Sequence, residues 1–245
     1  MKFENIRVMN FENALRGMRN PKDSWHLSDS YFGLEFNDFE SILLKTNGQP
    51  YEIIYKSGDC VEFASIGPKD MKVAQTLIRA GSEHRKFMRQ IFVSVDITAP
   101  LFWWKEADTY KVGTVANSTS TMHTIQKKPI TIDNFEIDDL DTDFEISEHY
   151  HFSDFVNCDL IPVLENLRQK FLETNDKRYW KELIRWLPEG WLQTRTITMN
   201  YENLLGMCSK GQRRNHKLTE WSKSFIDFAR TLPYAQEFIF IDELD

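Results

Sequence analysis

The densest run of positive charge in the chain is Arg213-Arg214-Asn215-His216-Lys217, and such a cluster suits a phosphate. A guanidinium offers paired N–H donors, and a helix beginning just beyond would add backbone N–H groups in its first turn. A solvated basic turn is the other reading of the same residues. A second candidate is Ser118-Thr119-Ser120-Thr121-Met122-His123, where hydroxyls and one imidazole stand close together. No nucleophile elbow surrounds them, so they read as binding or capping hydroxyls rather than a nucleophile and its base. Upstream, Glu106, Thr109 and Tyr110 fall at i, i+3 and i+4 and share one face of an expected helix over 101–111. His149 and His151 lack a third ligand at sensible spacing and read as a surface pair. Three cysteines, Cys60, Cys158 and Cys208, are too few and too scattered for a zinc ribbon or a disulfide framework.

These residues need elements to position them. Ile91, Val93, Val95 and Ile97 alternate with Phe92, Ser94 and Asp96, the pattern of a strand with one face better buried. Ala99-Pro100 ends it, and proline's preset φ opens the helix 101–111, which Gly113 closes. A hydroxyl-rich loop follows. Strands are also expected over 3–9, 51–55, 61–66 and 192–199, the second and third forming a hairpin about Ser57-Gly58-Asp59. Helices are expected over 34–45, 70–79, 155–171, 178–186 and 200–207. The most regular lies near the end, where Leu218, Trp221, Phe225, Phe228 and Leu232 recur at spacings of three and four. Between Asp133 and Glu148 the chain is acidic and reads as a solvated connector within an insertion near 126–150.

The chain has 245 residues and a formal charge of −7, with 41% hydrophobic residues. It is expected to be a single globular domain over 1–245. The acidic balance excludes a general nucleic-acid binder, which needs a basic face, but leaves room for a local basic pocket. No signal peptide and no apolar run of membrane-spanning length stands out, so a cytoplasmic protein is expected.

The order Ala99-Pro100-Leu101-Phe102, then Thr109-Tyr110-Lys111, then Thr119 and Thr121 resembles the signature region of the flavin-dependent thymidylate synthases. Further on, Arg185-Trp186-Leu187-Pro188, Asn200-Tyr201-Glu202-Asn203-Leu204 and Gln212-Arg213-Arg214-Asn215-His216 follow in the family's order, the basic cluster shifted by about two positions. The likeness runs from roughly residue 70 to the end. It departs where the family carries Arg-His-Arg, here Thr109-Tyr110-Lys111, and where a nucleotide-facing Arg becomes Thr121. The family's preceding Gln becomes Glu106.

What the resemblance implies is an α+β fold with a mixed or antiparallel sheet and flanking helices, assembled as a homotetramer. It implies reductive methylation of dUMP to dTMP, with methylenetetrahydrofolate as carbon donor and NADPH reducing FAD. No protein nucleophile is required. Carried over, Thr109, Tyr110, Lys111, Asn200 and Asn203 face the cofactor. Glu106, Asn117, Thr119, Thr121, Arg185, Arg213 and Arg214 face the nucleotide. With no dinucleotide fingerprint in the chain, the flavin needs a site particular to the fold. Two other classes stay open, an enzyme acting on another pyrimidine nucleotide and a non-catalytic nucleotide-binding or assembly protein on the same fold.

Overall fold

A computed structural model describes every residue except Asn37, Asp38, Gln212 and Asp245. Two of these fall in the expected helix 34–45 and one, Gln212, in the basic motif, so those parts of the reading lie outside the described residues. The chain opens with β1 (Lys2–Met9), α1 (Phe11–Arg19), β2 (Tyr31–Phe36) and α2 (Phe39–Lys45). The hairpin β3 (Glu52–Ser57) and β4 (Cys60–Ser65) leads to α3 (Pro68–Arg79), β5 (Phe92–Pro100) and α4 (Leu101–Ala107). After β6 (Val115–Ser118) come α5 (Thr121–Thr124), the small pair β7 (Glu145–Ser147) and β8 (Tyr150–His151), and α6 (Phe152–Asp154). A π-helical stretch, Phe155–Leu160, enters α7 (Ile161–Thr174), followed by α8 (Lys177–Arg185), β9 (Leu192–Asn200) and α9 (Tyr201–Met207). A second π-helical stretch, Glu220–Phe225, enters α10 (Ile226–Arg230), and α11 (Ala235–Phe238) closes the series.

The strands form a four-stranded sheet in the order β1-β5-β9-β6, a three-stranded sheet β2-β4-β3 and the pair β7-β8. In the three-stranded sheet β4 is antiparallel to both neighbours, with Leu34 opposite Glu62 and Lys56 opposite Val61. The chain divides into two compact units. One holds Met1–Lys2, Ile97–Asp108 and Asn117–Arg195, and the other holds Phe3–Asp96, Thr109–Ala116 and Thr196–Asp245.

In the first unit Ile125, Ile130, Phe135, Leu164 and Leu183 form a buried cluster, with Trp180 and Trp191 packed on it. Phe135 therefore belongs to the core, and the connector reading of Asp133–Glu148 is corrected for its beginning. Asp138, Asp139, Asp141, Asp143, Glu145 and Glu148 are exposed. In the second unit Phe11, Tyr201, Phe238 and Phe87 meet edge-on or tilted, a geometry that favours aromatic pairs beyond their buried area.

The expected helix 34–45 is another correction. Phe32, Leu34 and Phe36 alternate with period two and pair along β4, so the helix begins only at Phe39. The C-terminal apolar pattern buries Trp221, Phe225, Phe228 and Leu232 as its spacing requires. Its first part, however, is wound as a π-helix, over which Trp221 and Phe225 meet at 5.1 Å between ring centres.

Candidate functional site

Pro100 is the extended N-cap residue from which helix α4 starts at Leu101, but the helix stops at Ala107, capped by the Asp108 N–H donating to Trp104 O at 2.9 Å. Thr109 and Tyr110 lie beyond it, so the shared helical face of Glu106, Thr109 and Tyr110 does not form. Glu106 stays on the helix, half-buried.

The turn that follows is fixed within the second unit. Arg213 Nε donates to Tyr110 Oη at 2.8 Å. The same guanidinium lies over the Tyr110 ring at 5.2 Å and the Trp221 ring at 4.6 Å. At the start of α9, Asn200 and Asn203 form a reciprocal capping box, each side-chain oxygen accepting the other residue's backbone N–H at 2.9 and 3.1 Å. Asn203 Nδ2 then donates to Val112 O at 2.7 Å. Gly113 is required here. Its φ is +80°, and a Cβ would stand 2.9 Å from Asn200 Nδ2, which the capping box holds in place. The structure thus brings Tyr110, Asn200, Asn203 and Arg213 together, with Thr109 and Lys111 exposed on the same turn.

Arg214 turns elsewhere. It donates to Asp242 Oδ1 at 2.5 Å, Glu243 Oε1 at 2.8 Å and Cys208 O at 2.8 Å. Neither arginine has an exposed side chain, for Arg213 is 8% exposed and the Arg214 side chain 12%. The exposed basic turn expected of these residues is therefore not what forms, since both arginines are drawn into the protein. A buried cation needs a partner: Arg214 has the carboxylates of Asp242 and Glu243, and Arg213 has the Tyr110 hydroxyl and the faces of Tyr110 and Trp221.

The remaining carried-over residues lie in the first unit, where a cleft of about 350 Å³ opens. Thr119, Thr121 and Thr124 line it on one stretch of chain, Trp191 to Thr194 on another, and Lys127, Lys128 and Asn134 complete it. Gln193 ties the two stretches. Its Nε2 donates to Thr119 O at 3.1 Å and Thr121 Oγ1 at 3.3 Å, and its Oε1 accepts from Arg195 Nε at 2.9 Å. Arg195 is itself held by Asp108 at 3.0 Å and stacks on Trp104 at 4.3 Å. Asn117 is exposed on β6 and does not line the cleft. Arg185 is likewise outside it, exposed and paired with Glu182. Lys127, Lys128, Gln193 and Trp191 were not singled out from sequence. The signal was present as Lys127-Lys128-Pro129, a basic pair stopped by proline at the edge of an acidic stretch.

The fold is that of the flavin-dependent thymidylate synthases. A crystal structure of the Helicobacter pylori enzyme ThyX, complexed with FAD and dUMP, superposes with a TM-score of 0.59 at 15% identity, covering 97% of this chain and 98% of that one. A second structure of ThyX from Helicobacter pylori with FAD and dUMP gives 0.60, again at 15% identity, with both chains covered completely. Comparison with protein-family models finds no match, and neither does comparison with curated protein sequences.

Proposed function

We propose that this chain is a flavin-dependent thymidylate synthase-like enzyme that methylates dUMP reductively to dTMP, with methylenetetrahydrofolate as carbon donor and NADPH as reductant. The observation that carries the reading is the whole-length likeness to two structures that hold FAD and dUMP. The residues here fit an anionic dinucleotide in donor chemistry. Lys111 supplies an exposed cation and Thr109 an exposed hydroxyl, on a turn that Arg213 and Asn203 fix from the inside. FAD, when bound, supplies the redox step between NADPH and the pyrimidine. The protein's part is to hold and orient the two partners, which removes translational and rotational entropy from the barrier. A homotetramer belongs to this reading and is checked by light scattering.

One observation favours a second reading, a nucleotide-binding protein without catalysis. Of the three turn residues only Lys111 carries charge, and the Tyr110 hydroxyl already accepts from Arg213. The same experiment separates the two. Purified protein is titrated with FAD, and NADPH oxidation and dTMP formation are followed with and without dUMP and methylenetetrahydrofolate. Flavin binding with dUMP-dependent dTMP supports the enzyme. Nucleotide binding without any flavin binding sinks it in favour of the second reading.

A further inference from the structure

We infer that Lys127 and Lys128 seat the phosphate of the pyrimidine nucleotide, in the cleft that Thr119 and Thr121 line. The inference rests on the nucleotide reading above and deepens it. Four observations converge.

The first is charge. The cleft is lined by two lysines, by threonine, glutamine and asparagine side chains, and by Ile125, Pro129, Trp191 and Leu192. Among the described residues no carboxylate lines it, in a chain whose formal charge is −7. Elsewhere in the same unit the arginines are already neutralised: Arg168 by Glu165, Arg178 by Asp176, Arg185 by Glu182 and Arg195 by Asp108. Among the described residues neither Lys127 nor Lys128 forms an ion pair. Two cations left uncompensated in a concave site define a place for an anion.

The second is preorganisation. The loop that carries the lysines is fastened at both ends by one ion pair. Arg168 Nη1 donates to Gln126 O at 2.9 Å, just before Lys127. Glu165 Oε2 accepts the Ile130 N–H at 2.8 Å, just after Pro129. Arg168 and Glu165 join each other through two hydrogen bonds of 2.8 and 2.6 Å. Ile125 and Ile130, flanking the loop, are both buried in the unit's core. Pro129 adds its own constraint, because the residue before a proline is driven from the helical region. Lys128 accordingly has φ −130° and ψ 151°, which ends the 3-10 turn Ile125–Lys127. A loop with its ends tied loses less entropy when a ligand orders it.

The third is the hydroxyl wall. Thr121 Oγ1 accepts from Gln193 Nε2, which leaves its own proton to donate to a phosphate oxygen. Thr124 Oγ1 is committed to Ser120 O at 2.8 Å, so Thr121 is the better donor of the two.

The fourth is size. A volume of about 350 Å³ lies near the lower end of small-ligand pockets, roughly 300–1,000 Å³, which suits a monophosphate and not an extended chain. The cation that the resemblance places at position 121 is thus absent there, and two stand instead in the wall of the same cleft. Lysine serves as a point charge for a phosphate without the paired geometry of a guanidinium.

The test is calorimetric titration of the full chain with dUMP and with deoxyuridine, in wild type, K127A, K128A and the double variant. Wild type is expected to prefer dUMP at least about tenfold, with an affinity that falls as salt rises. Each single variant should lose roughly three- to tenfold toward dUMP and nothing toward deoxyuridine, and the double variant should lose the preference and its salt dependence. The double variant K127Q/K128Q, which keeps side-chain bulk, controls for folding by circular dichroism. A phosphate preference that survives in the double variants overturns the inference, as does a wild type that binds both ligands equally. FAD binding is measured on the same samples. Loss of phosphate preference in the variants with no FAD binding in any sample upholds this seat while removing the enzyme reading, so the two failures are distinguishable.

Discussion

Arg213 and Tyr110, 103 positions apart in sequence, meet through a 2.8 Å hydrogen bond and a stacked cation. The contact makes the basic cluster part of the scaffold. A guanidinium at 8% exposure has little water to fall back on, so its partners bear on stability. Tyr110→Phe keeps the ring and removes the acceptor of a charge-assisted bond, and should cost about 1.5–3 kcal/mol. Arg213→Ala also removes stacking on Tyr110 and Trp221 and should cost at least as much. Urea denaturation of both variants measures this. An Arg213→Ala variant as stable as wild type would show that the arginine is not a structural tie.

The Glu165–Arg168 pair makes a prediction in pH. The adjacent Arg168 guanidinium holds the Glu165 carboxyl down at about 2, from an ordinary 4.5, with the Ile130 N–H and Gln169 helping. A carboxylate depressed in the folded state stabilises above its unfolded value and loses that contribution as pH falls toward its folded value. The window is therefore from about 4.5 down to about 2. A shift of this size corresponds to roughly 3 kcal/mol at most, and the side chain's 24% exposure will reduce it. Stability measured across that window should decline more steeply in wild type than in Glu165→Gln. Parallel curves would remove the pair from the pH response.

Much of this architecture was legible because local rules and tertiary packing agree. Pro100 opens a helix, Asn200 caps one, and the strand ending at Asn200 alternates through Ile197 and Met199, both buried. What was not legible came from partners distant in sequence. Nothing in LFWWKEADTYK announces that the helix ends at Ala107, because the Tyr110 hydroxyl is claimed by Arg213. Arg214 reads as exposed until Asp242 and Glu243 are brought to it. The lysine pair at 127–128 does not stand out in the sequence for a related reason. Its fastening by Arg168 and Glu165 depends on a helix that begins over thirty residues later.

The C-terminal tie is tested through cysteine chemistry. Cys208 is fully buried, and burial pushes its thiol up to about 12, against the opposing pull of Arg214 and Arg230. Thiolate is the reactive form, so Cys208 should be alkylated last, well after the exposed Cys158. Arg214→Ala releases Cys208 O, Asp242 and Glu243 together. The variant should raise Cys208 labelling by about tenfold or more, read by mass spectrometry of peptides after a timed iodoacetamide pulse. Unchanged labelling would mean that the last residues stay docked without Arg214.

The final prediction concerns Lys111 and the flavin. Lys111 is exposed on the turn fixed by Arg213 and Asn203, and it is the one positively charged residue of Thr109-Tyr110-Lys111. If that turn meets the diphosphate of FAD, Lys111→Ala removes a charge-assisted contact worth about 1.5–3 kcal/mol, or roughly ten- to a hundredfold in affinity. Lys111→Arg should keep most of the binding, because the charge remains. Folding should be unaffected in both, since an exposed lysine contributes little to stability. Quenching of flavin fluorescence on titration gives the dissociation constant, and raising the salt should weaken binding more in wild type than in Lys111→Ala. Because Lys127 and Lys128 are assigned to the nucleotide phosphate, their variants should bind FAD as wild type does. Equal FAD affinity in wild type and Lys111→Ala would remove this turn from the cofactor site and leave the flavin to be sought elsewhere on the fold.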